Sequence, residues 1–90
     1  MQLNVSRGAP MTGKTIRLRK TARQAGQEES QIIHGNAYDE FDLEMVVRVR
    51  ASNGFKVICI DECSEVQIRH LERLQRELPS DLRIHAVVAN

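Results

Sequence analysis

The first stretch able to do chemistry is residues 8–15, GAPMTGKT, which fits G-x-x-x-x-G-K-[ST] at every fixed position. That spacing suits a bound polyphosphate. Gly8 lets the chain turn sharply as it leaves a strand, and Ala9, Pro10, Met11 and Thr12 form the body of a loop. The backbone N–H groups of such a loop converge on the β-phosphate as an anion nest. Gly13 leaves space where a side chain would strike the phosphate. Lys14 carries charge to the β- and γ-phosphates, and Thr15 offers a hydroxyl to Mg²⁺. A helix starting here adds the positive end of its dipole. The plain alternative is a glycine-rich turn that leads into a basic helix.

A second set of candidates lies in VICIDE, residues 57–62. An apolar strand that ends in two acids places Asp61 to hold Mg²⁺ through water. It also places Glu62 to polarise an attacking water as a general base. Asn90 closes a later strand, from which it could hydrogen-bond a γ-phosphate or the lytic water. The alternatives are two acids leading into a capped helix, and a frayed terminus. Cys59 and Cys63 are the two cysteines, and no histidine is arranged near them as a zinc ligand. One of them is expected as a small buried hydrophobe. His34, His70 and His85 are scattered. Arg69, Arg73 and Arg76 are balanced by Glu65, Glu72 and Glu77, which reads as a solvated helix face.

The elements that must position these residues follow from pattern. Leu3 and Val5 alternate with polar neighbours, so residues 1–7 read as a short strand, more polar than a central parallel strand should be. Lys14 to Ala25 reads as a helix, with Leu18, Ala22 and Ala25 on one side and Gly26 as its stop. Ile32 and Ile33 mark a second short strand before Gly35. Residues 39–54 carry two patterns. Phe41, Met45 and Val49 recur at helical spacing after Asp39 and Asp42. Leu43, Met45, Val47 and Val49 also alternate, and Asn53-Gly54 is a hairpin signal, although Gly54 could equally end a helix. The helix is preferred because strands and helices then alternate along the chain. Phe55 to Asp61 reads as a buried strand. Ser64 and Gln67 form a capping box that opens a helix, with Val66, Leu71, Leu74 and Leu78 as its apolar stripe and Pro79 after it. Residues 81–90 form the last strand.

Strands alternating with helices predict a small three-layer α/β/α domain with a mostly parallel sheet. The 90 residues suit one domain, 1–90, and a core of this size leaves a thin margin of stability. With 13 Lys+Arg against 12 Asp+Glu, the formal net charge of +1 makes no overall case for nucleic acid or a membrane. The basic residues do gather early, from Arg7 to Arg23. Aromatic content is 3%, too low for a platform on which bases stack. No signal peptide or membrane span is visible, so a cytoplasmic protein is expected.

With GAPMTGKT, VICIDE and VVAN in place, the chain resembles the P-loop NTPases, in the additional-strand branch that carries a catalytic glutamate after its second motif. The resemblance covers nearly the whole chain and implies a P-loop-type fold. It implies that the loop Gly8–Thr15 binds ATP, that Lys14, Glu62 and Asn90 act in catalysis, and that Thr15 and Asp61 hold Mg²⁺. Asn90 takes the place of the residue called sensor one. Zinc-containing thymidine kinases share a Pro-Met pair within the loop and an Ile-Asp-Glu second motif. Their pair lies one position nearer the first glycine, and their zinc cysteines and aromatic pocket have no counterpart here. Family members usually add a strand after the sensor strand, so the chain reads as a minimal or truncated member.

Three readings follow: a magnesium-dependent NTPase, a non-catalytic adaptor on the same fold, and an α+β protein built on a hairpin at Asn53-Gly54 with accidental motifs. Self-association, a larger protein partner and nucleic acid all stay open.

Overall fold

The computed structural model describes residues 1–8 and 13–89. Its elements are β1 (Gln2–Ser6), α1 (Lys14–Gln24), β2 (Ile33–His34), α2 (Glu40–Ser52), β3 (Val57–Cys63), α3 (Glu65–Arg73) and β4 (Arg83–Val88). The four strands form one sheet in the order β1-β4-β3-β2. Each neighbouring pair runs parallel.

The strands sort their side chains by period two. Cys59 and Val87 face α1, where they pack with Leu18, Ala22 and Ile32. Ile58, Ile60, Ile84 and Ala86 face the other way, into a larger core with Leu43 and Val47 of α2 and Ile68 and Leu71 of α3. Helices therefore cover both faces of a parallel sheet, giving three layers, α/β/α. β1 pairs only with β4 among the described residues. Its Leu3 and Val5 lean on the larger core while Gln2, Asn4 and Ser6 are exposed. That edge position accounts for its polar sequence.

Residues 40–52 are helical, which overturns the hairpin reading. Asp39 caps the helix, its Oδ1 accepting from Asp42 N at 2.7 Å. At the other end Gly54 adopts φ 92°, and Phe55 N donates to Arg50 O at 3.1 Å. These are the bonds of a Schellman stop, which needs a left-handed residue where a hairpin turn would also have wanted one. The buried face of α2 is Leu43 and Val47, whereas Phe41, Met45 and Val49 are exposed.

The capping box of α3 forms as its sequence predicts. Gln67 N donates to Ser64 Oγ at 3.1 Å, and Ser64 N donates to Gln67 Oε1 at 2.9 Å. Leu71, Leu74 and Leu78 are buried, but the helix ends at Arg73, so Leu74 is its C-cap and Leu78 lies beyond it, and Val66 is 48% exposed and leaves the stripe assigned to it. It sits on the outward side of the helix, away from Ile68. Both cysteines, rather than one, are fully buried. No helix among the described residues is long and apolar enough to cross a membrane.

Candidate functional site

A parallel sheet brings the carboxyl ends of all its strands to one side, and side chains placed there can converge. β1 leads there into Arg7 and Gly8, β3 carries Asp61 and Glu62 there, and β4 ends there at Val88. The strand order sets β4 between the strand leading to Gly8 and the strand bearing the two acids.

Lys14 is drawn into this end. It is the first residue of α1, only 7% exposed, and its Nζ donates to Gly8 O at 2.8 Å and to Val88 O at 3.2 Å. The ammonium thus joins the end of β1 to the end of β4. Among the described residues it has no carboxylate within ion-pair distance. A buried cation balanced only by carbonyl dipoles is an unusual arrangement and favours an anion nearby. Gly13 begins α1 with φ 78° and no side-chain cap, in contrast to Asp39 on α2 and Ser64 on α3. Thr15, half-buried, lies in the first turn of α1 beside Lys14.

Asp61 is 8% exposed, and its Oδ1 accepts from Glu62 N at 2.9 Å. The strand does not stop at the two acids, as its sequence suggests, but continues to Cys63 through a bulge. Ile60 pairs with Ala86 and Cys63 with Val88, so β3 spends one more residue than β4 over this step. Glu62 absorbs the excess at φ 55°, in the left-handed region. After the bulge Cys63 returns to the same core as Ile60, while the Glu62 side chain is exposed. Burial, with the charge of Asp61 second, pushes the Cys63 thiol up to about 12, so it stays protonated near neutral pH. Neither it nor buried Cys59, whose thiol burial also raises, is a nucleophile.

Two residues to which the sequence reading gives no part in the site hold this end together. Gly35 follows β2, and a Cβ there would lie 3.0 Å from both Glu62 O and Gln67 Oε1. Gln67 is buried, and its Nε2 donates to Gly35 O at 2.8 Å and Tyr38 O at 2.9 Å. The amide therefore ties the segment after β2 to the start of α3, directly behind Glu62. The capping box was the legible signal for Gln67. Nothing local marks Gly35 as a close approach, since it reads only as a strand breaker. An open cleft of about 530 Å³ adjoins these groups, lined among others by Gly35, Tyr38, Asp39, Glu62, Ser64 and Ala89.

Ala9, Pro10, Met11, Thr12 and Asn90 lie outside the described residues. The structure brings Gly8 and Lys14 together and sets Asp61 and Glu62 two strands away from β1 on the same side of the sheet. His34 is in register with Asp61, His85 lies inside β4, and His70 contacts Glu44 at 2.6 Å, so the histidines do not gather. Among the described residues no cluster of three or more His, Cys, Asp or Glu could hold a metal ion.

Compared with protein-family models, curated proteins and solved structures, the chain matches none.

Proposed function

We propose that this chain binds a nucleoside triphosphate, with ATP as the expected case, through Gly8–Thr15, and cleaves its β–γ phosphate bond with magnesium. The observation that carries the reading is Lys14, a buried ammonium held by Gly8 O and Val88 O with no acidic partner among the described residues. A phosphate would supply the missing negative charge, and the uncapped start of α1 would add backbone donors. The order β1-β4-β3 supports the additional-strand branch, because β4 separates the loop strand from the Asp61-Glu62 strand.

The donors present fit magnesium. Thr15 and Asp61 offer hard oxygens, which suit an ion that keeps most of its waters and takes phosphate oxygens. Thr15 and Asp61 would hold the ion, which would supply positive charge at the β- and γ-phosphates. Lys14 would exchange its carbonyl partners for phosphate oxygens. Glu62, re-aimed by the bulge and exposed, would accept a proton from the attacking water. Asn90 would orient that water or the γ-phosphate.

Amide shifts during titration with ATP and a non-hydrolysable analogue, with and without Mg²⁺, test the binding step. Large shifts at Gly8, Gly13, Lys14 and Thr15 are expected, and they vanish in K14A. E62Q is expected to bind as the wild type does while losing hydrolysis by about 10²-fold or more. No shift at millimolar nucleotide would overturn the reading.

A second reading is a non-catalytic interaction module on the same fold. The exposed row Phe41, Met45 and Val49 favours it. Under it, no phosphate is released above the K14A control even when nucleotide binds.

A further inference from the structure

Helix α1 covers only part of its side of the sheet. The small core beneath it holds Cys59 of β3 and Val87 of β4 but no residue of β1. Asn4 and Ser6 alternate with Leu3 and Val5, so they point to this side of the sheet and stay exposed. A notch of about 60 Å³ lies in the step between the helix and β1, lined among others by Asn4, Ser6, Lys14, Arg17, Thr21 and His85. The parallel register sets Asn4 beside His85. Arg17 and Thr21, four residues apart on α1, share the flank of the helix that walls the notch.

The charge here has one sign. No acid lines the notch among the described residues. Helix α1 carries Lys14, Arg17, Arg19, Lys20 and Arg23 and no acidic residue. Glu29 answers Arg19 at 3.8 Å and Arg23 at 3.6 Å, and leaves Arg17 out. The side-chain hydrogen bonds and ion pairs among the described residues include none of the side chains of Asn4, Ser6, Arg17 and His85. Thr21 Oγ1 donates back to Arg17 O at 3.0 Å and serves as wall rather than donor. Lys14 borders the notch, but its Nζ is committed to Gly8 O and Val88 O. Burial, then the charge of Arg83, holds the His85 pKa below 6.5, so near neutral pH its ring is uncharged and offers one N–H.

We infer that this notch between α1 and the β1–β4 pair is a second phosphate site, one helical turn beyond the loop Gly8–Thr15, in which Arg17 holds the oxyanion and Ser6, Asn4 and His85 donate to it. A guanidinium fork matches phosphate oxygens two at a time. The notch has room for about four waters, roughly the size of one phosphate group. Other ligands fit less well. Arg17 and Arg83 repel a cation, and an apolar ligand would strand four polar side chains without partners. Two sources carry the group that fits: a small phosphate or phosphomonoester, and the phosphodiester backbone of a nucleic acid. The inference does not rest on nucleotide binding at the loop.

The probe is orthophosphate, titrated into the wild type and into K14A, which removes the ammonium of the loop. Amide spectra are read at Thr21 and His85, away from the loop, and at Ser6 and Arg17. Saturable millimolar shifts are expected at these positions in both proteins. R17Q should weaken them about tenfold or more, and S6A about threefold or more, each variant checked for an unchanged spectrum elsewhere. Because R17Q should keep the ATP shifts at Gly8 and Gly13, loss of this site and loss of the nucleotide site are told apart. Sodium acetate at matched ionic strength should give no saturable shift. Three results would each overturn the inference. They are no saturable shift at tens of millimolar phosphate, an equal response to acetate, and binding unaffected by R17Q. A short oligothymidylate then separates the sources. Binding about tenfold tighter than orthophosphate, spreading to Lys20 and Arg83 and lost in R17Q, assigns the phosphodiester. Oligonucleotide binding no tighter than that of orthophosphate assigns a small phosphate.

Discussion

Glu62 is the one non-glycine residue in the left-handed region among the described residues. A non-glycine side chain at φ 55° costs roughly 1–3 kcal/mol, and such residues persist where the surroundings fix them. Here the parallel register on either side of the bulge does the fixing, with Ile60 on Ala86 and Cys63 on Val88. Glu62→Gly removes the steric penalty and adds about 0.5–1 kcal/mol of unfolded-state entropy cost. A net stabilisation of about 1 kcal/mol is expected, which calorimetry would read as a midpoint about 4–8 °C higher in a domain of this size. The same variant should lose any hydrolysis. Higher stability together with lost turnover separates a strained functional residue from a merely tolerated one. VICIDE marks Glu62 as a candidate acid at a strand end, but nothing in it marks the backbone conformation. Left-handed residues announce themselves in sequence when they are Gly or Asn, as at Gly54, and glutamate gives no such sign.

Among the elements, the junction of β2, β3 and α3 depends on space as much as on bonds. Gly35 has no left-handed requirement. It is glycine because Glu62 O and Gln67 Oε1 occupy the volume a Cβ would need, at 3.0 Å each. Gly35→Ala is expected to cost about 1–3 kcal/mol in urea unfolding and to shift the amides of Asp61, Glu62 and Gln67. An alanine variant as stable as the wild type would show that the junction yields freely. Element types were largely readable. Asp39, the Ser64–Gln67 box and the Gly26 and Gly54 stops each acted where local chemistry put them. The face of α2 was not readable, because apolar residues surround it. Phe41, Met45 and Val49 carry the helical spacing, yet Leu43 and Val47 are the pair that touches the sheet. Periodicity identified the helix, and only tertiary packing chose which stripe to bury.

On the scale of the whole molecule, acid should loosen the fold in two steps. Burial, with Arg83 second, lowers the His85 pKa in the folded protein from 6.5. The unfolded chain therefore takes up this proton first, and stability falls as pH drops through 6.5 toward the lower folded value. Glu44 behaves in the usual carboxylate sense. Its hydrogen bonds to Arg48 and then His70 lower its pKa from 4.5, so that contribution is present above 4.5 and is lost as pH falls through the folded value. Urea midpoints measured between pH 7.5 and 4 should decline in both intervals, and His85→Gln should flatten only the upper one. A midpoint unchanged from pH 7 to 5.5 would contradict the account of His85. The sequence showed three scattered histidines and could not tell which one the sheet would cover.

The pairing of β1 with β4 sets a timetable. In this register Gln2 lies beside Arg83, and Ser6 beside Val87, so β1 waits for a strand that is translated well after it. Until β4 emerges, a nascent chain can join only β2 to β3, with α1 and α2 lacking much of the surface they cover. Such distant pairing makes closure of the sheet slow relative to its local helices. Because Lys14 is held partly by Val88 O, its ammonium cannot reach this position until β4 is laid down. The candidate site first exists only once residues 83–88 have been made and laid beside β1.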